Sequence, residues 1–399
     1  MARLPSLAVS ASLPKGAAIP AIPTASLIRV AILALTLHVM LWPVITMDVG
    51  HYYGPWLDHI WQTGPIRAFA TPFSNYTPPY LYLLALLSPL KLVLADPAII
   101  KLAGLLCNAA LAAAIWHVLR KQGMPAALAG GLWAVALPTV IANAALLGQC
   151  DAMYAAPVVM AVGAALDRRS TAMLGWYGVA LAIKLQAILI APFMLAMLVA
   201  WRLPPWRWWP APATFLIAML PAAIAGWPIG DLATIYLRQS ADFADAVLNA
   251  PNIWSVLVLA GVALPPLFGL ACAAAVGASA AYIARIGASA RQFSRDQLLR
   301  AALLAPLVTA GLLPRMHERY FFVADVLALL LFAVTRAPRD GRLVALTQLG
   351  SGAALFAYIS GAPIFAALGA VPMIFAALFL VQDLFAKAAN DNPLMARPA

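Results

Sequence analysis

Residues 79–95 read PYLYLLALLSPLKLVLA, from Pro79 to Ala95. Whether they cross a bilayer decides the side on which every later segment lies. The run has 17 residues, at the lower limit for a helix spanning about 30 Å of hydrocarbon. Positive charge arbitrates. If the run does not cross, 18 of the 25 Lys and Arg share one side. The other seven (Arg67, Lys91, Lys101, Lys184, Arg238, Arg315 and Arg319) face the opposite way. If it crosses, everything downstream inverts and most of the positive charge moves outside. Cytoplasmic loops are enriched in Lys and Arg. The run is therefore expected to dip into, or lie along, the outer leaflet.

The surrounding sequence is overwhelmingly apolar. Of 399 residues, 64% are hydrophobic and 10% charged, and mean hydropathy is +0.90. A soluble domain carries about 25% charged residues, so the expected class is an all-α polytopic membrane protein. About twelve spans are expected: Ser26–Thr46, Ile99–Leu119, Ala126–Leu147, Ala152–Leu166, Ala172–Ile183, Ala187–Ala200, Ala211–Gly230, Pro266–Ile283, Leu298–Leu313, Tyr320–Val334, Leu343–Ile359 and Ile364–Phe385. Both termini are then cytoplasmic. The net charge of +11 is scattered over short loops, which fits orientation in a bilayer and not nucleic-acid binding. Cys107, Cys150 and Cys272 stand singly, without the paired spacing of a zinc site. They read as small packing residues. The first two dozen residues lack a compact apolar core ending in a cleavage site, so they read as a flexible tail and not a cleaved signal.

This topology gathers the sparse polar chemistry on the non-cytoplasmic side: Asp48, Gln149–Asp151, Lys184, the Asp231–Asn252 loop and Arg315–Arg319. Two of the spans, Ala172–Ile183 and Ala187–Ala200, are too short to cross at 1.5 Å per residue. They are expected to meet at Lys184-Leu185-Gln186 inside the membrane and open a polar notch there.

The densest signal is Leu313-Pro314-Arg315-Met316-His317-Glu318-Arg319-Tyr320. Ionisable residues at a membrane boundary are expensive and mark functional sites. Arg315, His317 and Arg319 suit an anionic phosphate, and Glu318 is placed to pair with one arginine. Lys184 in its apolar run is a further phosphate candidate, the alternative being snorkelling. Asp48 ends the first span and is the candidate general base, with Asp58 as substitute. His51 and Tyr52 follow it in an interfacial segment. Gln149 and Asp151 are candidates for gripping sugar hydroxyls, though Asp151 also reads as a helix N-cap. Gln186, Asn75, Tyr76 and Asn252 complete the candidate lining. Pro78 and Pro79 suit a helix start.

The ordered set resembles the GT-C glycosyltransferases. It comprises an acid ending the first span, Pro78-Pro79-Tyr80-Leu81-Tyr82, Gly148-Gln149-Cys150-Asp151, Lys184-Leu185-Gln186 and His317-Glu318-Arg319. The nearest subgroup resembles dolichyl-phosphate-glucose-dependent glucosyltransferases and GPI-anchor mannosyltransferases. The resemblance runs from Asp48 to Tyr320. It implies a GT-C fold with two helices in the first external loop, a polyprenyl-phosphate sugar donor and inverting transfer of a hexose to a hydroxyl of a glycan, lipid or polysaccharide. It matches Asp48 to the catalytic base, and His317 with Arg315 or Arg319 to the donor phosphate. Arg319 stands where the family's common motif has lysine. Asp48 has no adjacent acid, so no metal and no cofactor is expected. The implied organisation is a cytoplasmic tail (1–25), a catalytic module (26–230) containing external loop 1 (47–97), a variable C-terminal membrane module (231–386) and a cytoplasmic tail (387–399). The implied location is a bacterial inner membrane, with the site facing the periplasm. A transporter or flippase for a lipid-linked or phosphorylated sugar is the alternative from another class, and a transferase using lipid diphosphate donors a second one.

Overall fold

The computed structural model describes residues 24–124, 126–241 and 247–390. Almost all of the expected N-terminal tail, and residues 391–399 of the expected C-terminal one, lie outside the described residues. The chain is helical: α1 (Thr24–Leu41), α2 (Gly54–Thr63), α3 (Pro78–Leu87), α4 (Asp96–Lys121), α5 (Ala127–Val135), α6 (Pro138–Ile141), α7 (Asp151–Leu166), α8 (Ser170–Ile183), α9 (Ala191–Ala200), α10 (Pro210–Ala225), α11 (Ile229–Ala241), α12 (Ile253–Leu259), α13 (Phe268–Ser289), α14 (Arg295–Leu312), α15 (Phe322–Thr335), α16 (Pro338–Ser360) and α17 (Ile364–Asn390). Among the described residues no named strand occurs. Leu248 and Asn249 form isolated bridges to His317.

The sequence explains the boundaries. Prolines open α2, α3, α4, α10 and α16, where a missing N–H costs nothing. Ser294 and Gln297 form a reciprocal capping box on α14. Asn252 caps α12 by accepting from Trp254 N and Ser255 N. Two α-helices, α2 and α3, occupy the 47–97 segment. The deciding run forms α3, ten residues long, then breaks at Ser88-Pro89 into a 3-10 turn, Ser88–Leu92. Ten residues rise about 15 Å, half of a bilayer core. The break between the two short spans falls at Lys184, whose backbone is extended; a 3-10 turn, Leu185–Ile190, leads into α9.

Five helices are long and apolar enough to cross a membrane: α4, α10 with its preceding turn, α13 with its preceding turn, α16 and α17. The bent pair formed by α5 with 138–146 makes six if it counts as one span. The chain is thus a helical membrane protein, but fewer than twelve segments meet that criterion. The remaining expected spans are helical yet short, between 10 and 17 residues, or, for α14, charged at the start. The span expected over Ala211–Gly230 ends at Ala225, where Gly226 takes a left-handed φ of 114°. The first half of the loop expected over Asp231–Asn252 is helix α11.

The helices sort by exposure. Nearly every residue of α7 and α15 is buried, so these two form the centre. Leu216, Ile217, Leu220 and Ile224 of α10, and Leu368, Phe375 and Leu378 of α17, are exposed. Such apolar exposure suits lipid, not water. Arg300, inside the span expected over Leu298–Leu313, is buried and paired bidentately with Asp340 at 2.5 and 3.0 Å. That pair ties α14 to α16.

Candidate functional site

Four breaks in the helical packing converge on one cavity of about 600 Å³. Each has a local cause. Beyond α1, Asp48 opens a π-helical turn, Val49–Tyr53, a form enriched at functional sites. Thr46 Oγ1 ties that approach to Leu147 O at 3.1 Å. Opposite lies Gly148, with φ of 67°. A Cβ there would sit 2.5 Å from Val49 Cγ2. Only glycine permits both the turn and the approach of the Asp48 segment. The third break is Lys184. The fourth is the 313–321 connection between α14 and α15, laced to 247–252: Leu248 N donates to Met316 O at 3.3 Å.

Gln149 links the site together. Its Oε1 accepts from Tyr53 Oη at 2.6 Å, Lys184 Nζ at 3.2 Å and Tyr76 Oη at 3.4 Å. Three donors on one oxygen fix the amide's orientation. Its Nε2 is thereby aimed at Asp48 Oδ2, to which it donates. Gln149→Glu would replace that donor by a second carboxylate oxygen. The substitution is expected to destabilise the protein by about 1–3 kcal/mol, read as a lower melting temperature in detergent. An unchanged value would show that the bridge does not form.

Arg319 is the charged hub. Its Nη1 lies 2.6 Å from Glu318 Oε1 and 3.5 Å from Asp48 Oδ2, and its Nε is 3.9 Å from Asp151 Oδ2. Behind it, Lys184 pairs with Asp151, both with side chains only 2% exposed. Asn143 Nδ2 donates to the other Asp151 oxygen at 2.7 Å, and Asn143 Oδ1 accepts from Asp151 N at 3.2 Å. Asp151 is therefore not the N-cap of α7. Cys150 holds that position, without a side-chain bond, and Asp151 is spent on Lys184 and Asn143.

Asp48, Tyr52, Asn75, Tyr76, Gln149, Gln186, Arg315, His317, Glu318 and Arg319 all line the cavity. Arg315 adopts a left-handed φ of 58°, a strained choice for a side chain with a Cβ. Its guanidinium stacks 4.6 Å from the Phe268 ring centroid. Ile188, Leu189, Leu248, Leu313 and Met316 form an apolar flank, and Ile188 is itself largely exposed on the outer surface. The cavity thus joins a polar floor to a greasy side.

Burial pushes the Glu318 carboxyl up, but the Arg319 guanidinium and His317 prevail and hold it at about 2. Burial lowers the His317 pKa from its ordinary 6.5, against the pull of Glu318. The signs agree. A depressed histidine loses stability as pH falls below about 6.5, because the unfolded chain takes the proton first. A depressed glutamate loses it as pH falls below about 4.5, towards 2. Thermal stability is expected to fall from pH 7 to pH 5, with a smaller fall in His317→Gln. An equal fall in both would remove His317 from the account.

Several expected residues sit elsewhere. Lys184 and Asp151 lie beneath the floor and do not line the cavity. His51 is exposed, edge-on to Tyr52 at 5.0 Å. Asn252 is buried and donates to Ala310 O at 3.2 Å and Leu313 O at 3.1 Å, so it braces the 313–321 connection. Asp58 pairs with Lys91, away from the cavity. Sequence reading missed Tyr53, Trp56, Phe268 and Asn143. Three are apolar or aromatic residues among many, and only geometry distinguishes them. Asn143 had a usable signal: an amide within an otherwise apolar segment. No family model matches the chain, and no curated protein does.

Proposed function

We propose that this chain is an inverting glycosyltransferase that moves a hexose from a polyprenyl-phosphate sugar to an acceptor hydroxyl. The reading includes about twelve membrane-embedded segments, a GT-C-like arrangement and a site at the periplasmic face of a bacterial inner membrane. One observation carries it. A carboxylate, Asp48, and the cations Arg315 and Arg319, remote in sequence, line one cavity whose side is apolar.

The chemistry follows from that arrangement. The prenyl chain lies along the apolar flank beside Ile188 and Met316. The phosphate takes Arg315 and draws Arg319 away from Asp48, with neutral His317 donating a hydrogen bond. Asp48 then accepts the proton of the acceptor hydroxyl. The new oxygen–carbon bond forms at the anomeric carbon, opposite the breaking bond to phosphate. The departing polyprenyl phosphate keeps the bonding pair, and the guanidiniums stabilise its growing charge. One base suffices, because phosphate leaves without a proton, unlike the sugar alcohol released in glycoside hydrolysis. Lys184 acts by holding Asp151 and Gln149 rather than by touching phosphate.

The test is incubation of purified protein with a panel of polyprenyl-phosphate sugars and an acceptor mixture. Donor consumption with release of polyprenyl phosphate is expected. Consumption of diphosphate donors alone would overturn the donor class. Movement of intact donor across proteoliposomes without consumption would favour the flippase reading.

A further inference from the structure

At the end of the helix bundle away from the cavity, residues 201–209 read Trp201-Arg202-Leu203-Pro204-Pro205-Trp206-Arg207-Trp208-Trp209. The candidate site uses none of them. α7 runs 16 residues from Asp151, beneath the cavity floor, to this end, a rise of about 24 Å. Three loops meet here. Arg168 Nη2, beyond α7, donates to Arg291 O at 3.0 Å, and Arg291 Nε, beyond α13, donates to Ala200 O at the end of α9. Residues 167–170, 200–209 and 290–296 hold six arginines against two acids, Asp167 and Asp296. Asp167 is already paired with Lys121, so it offsets little of that excess.

The loop presents its side chains outward. Pro204 and Pro205 confine it to a short 3-10 turn, Pro205–Arg207, and Trp208 Nε1 closes it by donating to Leu203 O at 3.0 Å. Trp206 and Trp209 are 76% and 62% exposed. Arg202 and Arg207 are exposed beside them. Among the described residues neither arginine enters an ion pair. Pro205–Ala225 is long and apolar enough to cross a membrane, so the loop stands where a span begins. Guanidiniums are costly in hydrocarbon, and so much indole area is ill suited to bulk water. The headgroup layer suits both. Arg202 adopts a left-handed φ of 50°, just beyond α9, where glycine is the usual residue. Orientation during insertion needs only a count of positive charges. It does not need an arginine held at a backbone cost among exposed tryptophans. The charge selects the headgroup. A phosphatidylcholine carries its own ammonium beside the phosphate, whereas an anionic lipid brings no cation to oppose the arginines.

We propose that the 201–209 loop, through Arg202 and Arg207, is a binding site for anionic phospholipid headgroups, with Trp206 and Trp209 seated in the same layer. The bound lipid anchors the joined ends of α7, α9 and α13. The site stands whether or not the chain transfers sugar.

The experiment is thermal unfolding of the full purified chain in neutral detergent, with dioleoyl phosphatidylglycerol or dioleoyl phosphatidylcholine added. Wild type is expected to gain a few degrees, saturably, from phosphatidylglycerol and not from phosphatidylcholine. The gain is expected to shrink in about 1 M NaCl, where charges are screened beyond about 3 Å. Arg207→Gln is expected to raise the half-saturating phosphatidylglycerol about fivefold, the share of one arginine at an anionic surface. Arg202→Gly keeps the left-handed turn without strain. It is expected to melt at or above wild type without lipid and to need about fivefold more phosphatidylglycerol. Arg67→Gln, an exposed arginine near the other end of α10, is expected to leave the response unchanged. An equal gain from both lipids, an unshifted half-saturation in both loop variants, or the same shift in Arg67→Gln would overturn the proposal.

Discussion

Asp48→Asn is expected to abolish transfer while leaving the protein folded. Positioned general bases contribute about 10²–10⁴ in rate, and the proposed mechanism places the lost step wholly on this carboxylate. The substitution keeps size and leaves Oδ1 to accept from Gln149 Nε2. What it removes is the charge 3.5 Å from Arg319. The contact is long, and Arg319 keeps its closer partner Glu318 at 2.6 Å, so its loss leaves the guanidinium paired and is expected to cost the fold little. The loss should therefore appear in kcat. The donor KM should stay level or fall, since an Arg319 released from Asp48 turns more readily to phosphate. A variant with wild-type turnover and an unchanged melting temperature would remove Asp48 as the base. A variant that loses donor binding instead would make Asp48 a recognition group.

The grouping of the polar residues was legible in the sequence, because ionisable side chains are rare and costly in so apolar a chain and gather where they can answer one another. The run at 79–95 forms a ten-residue helix followed by a proline break, an interruption that Ser88-Pro89 announces in the sequence. The Lys184 break was legible as two runs too short to cross. Direction within the cluster was not. Lys184 and Arg319 are both cations near acids in sequence terms, and only packing decides that Lys184 turns inward to Asp151 while Arg319 reaches the cavity. Gln149 looked like a sugar ligand, because nothing in a one-dimensional pattern shows three donors converging on its oxygen. The helix over Ile229–Ala241 was missed because its charged residues resemble a loop. Its Arg238 and Asp231 in fact pair along the helix.

Lys184→Met is expected to have the largest effect on stability. The Lys184–Asp151 pair is almost sealed from solvent, and breaking a buried pair from one side costs about 3–5 kcal/mol, because the surviving charge remains buried. Here that survivor is Asp151. Asn143 still donates to one of its oxygens, and the Arg319 Nε at 3.9 Å is too distant to replace the lysine without leaving Glu318. Gln149 Oε1 would lose one of three donors as well, loosening the amide that orients Asp48. Asp151→Asn combined with Lys184→Met removes both charges and is expected to recover most of the loss, since neutral replacements of buried pairs are often tolerated. The non-additivity of the cycle measures the pair. If Lys184 instead served the donor phosphate directly, Lys184→Met would melt like wild type and raise the donor KM, and the double variant would recover nothing. Melting curves with donor kinetics on wild type, the two single variants and the double variant separate the two roles, because a phosphate contact is made only with ligand bound and the ion pair is present in its absence.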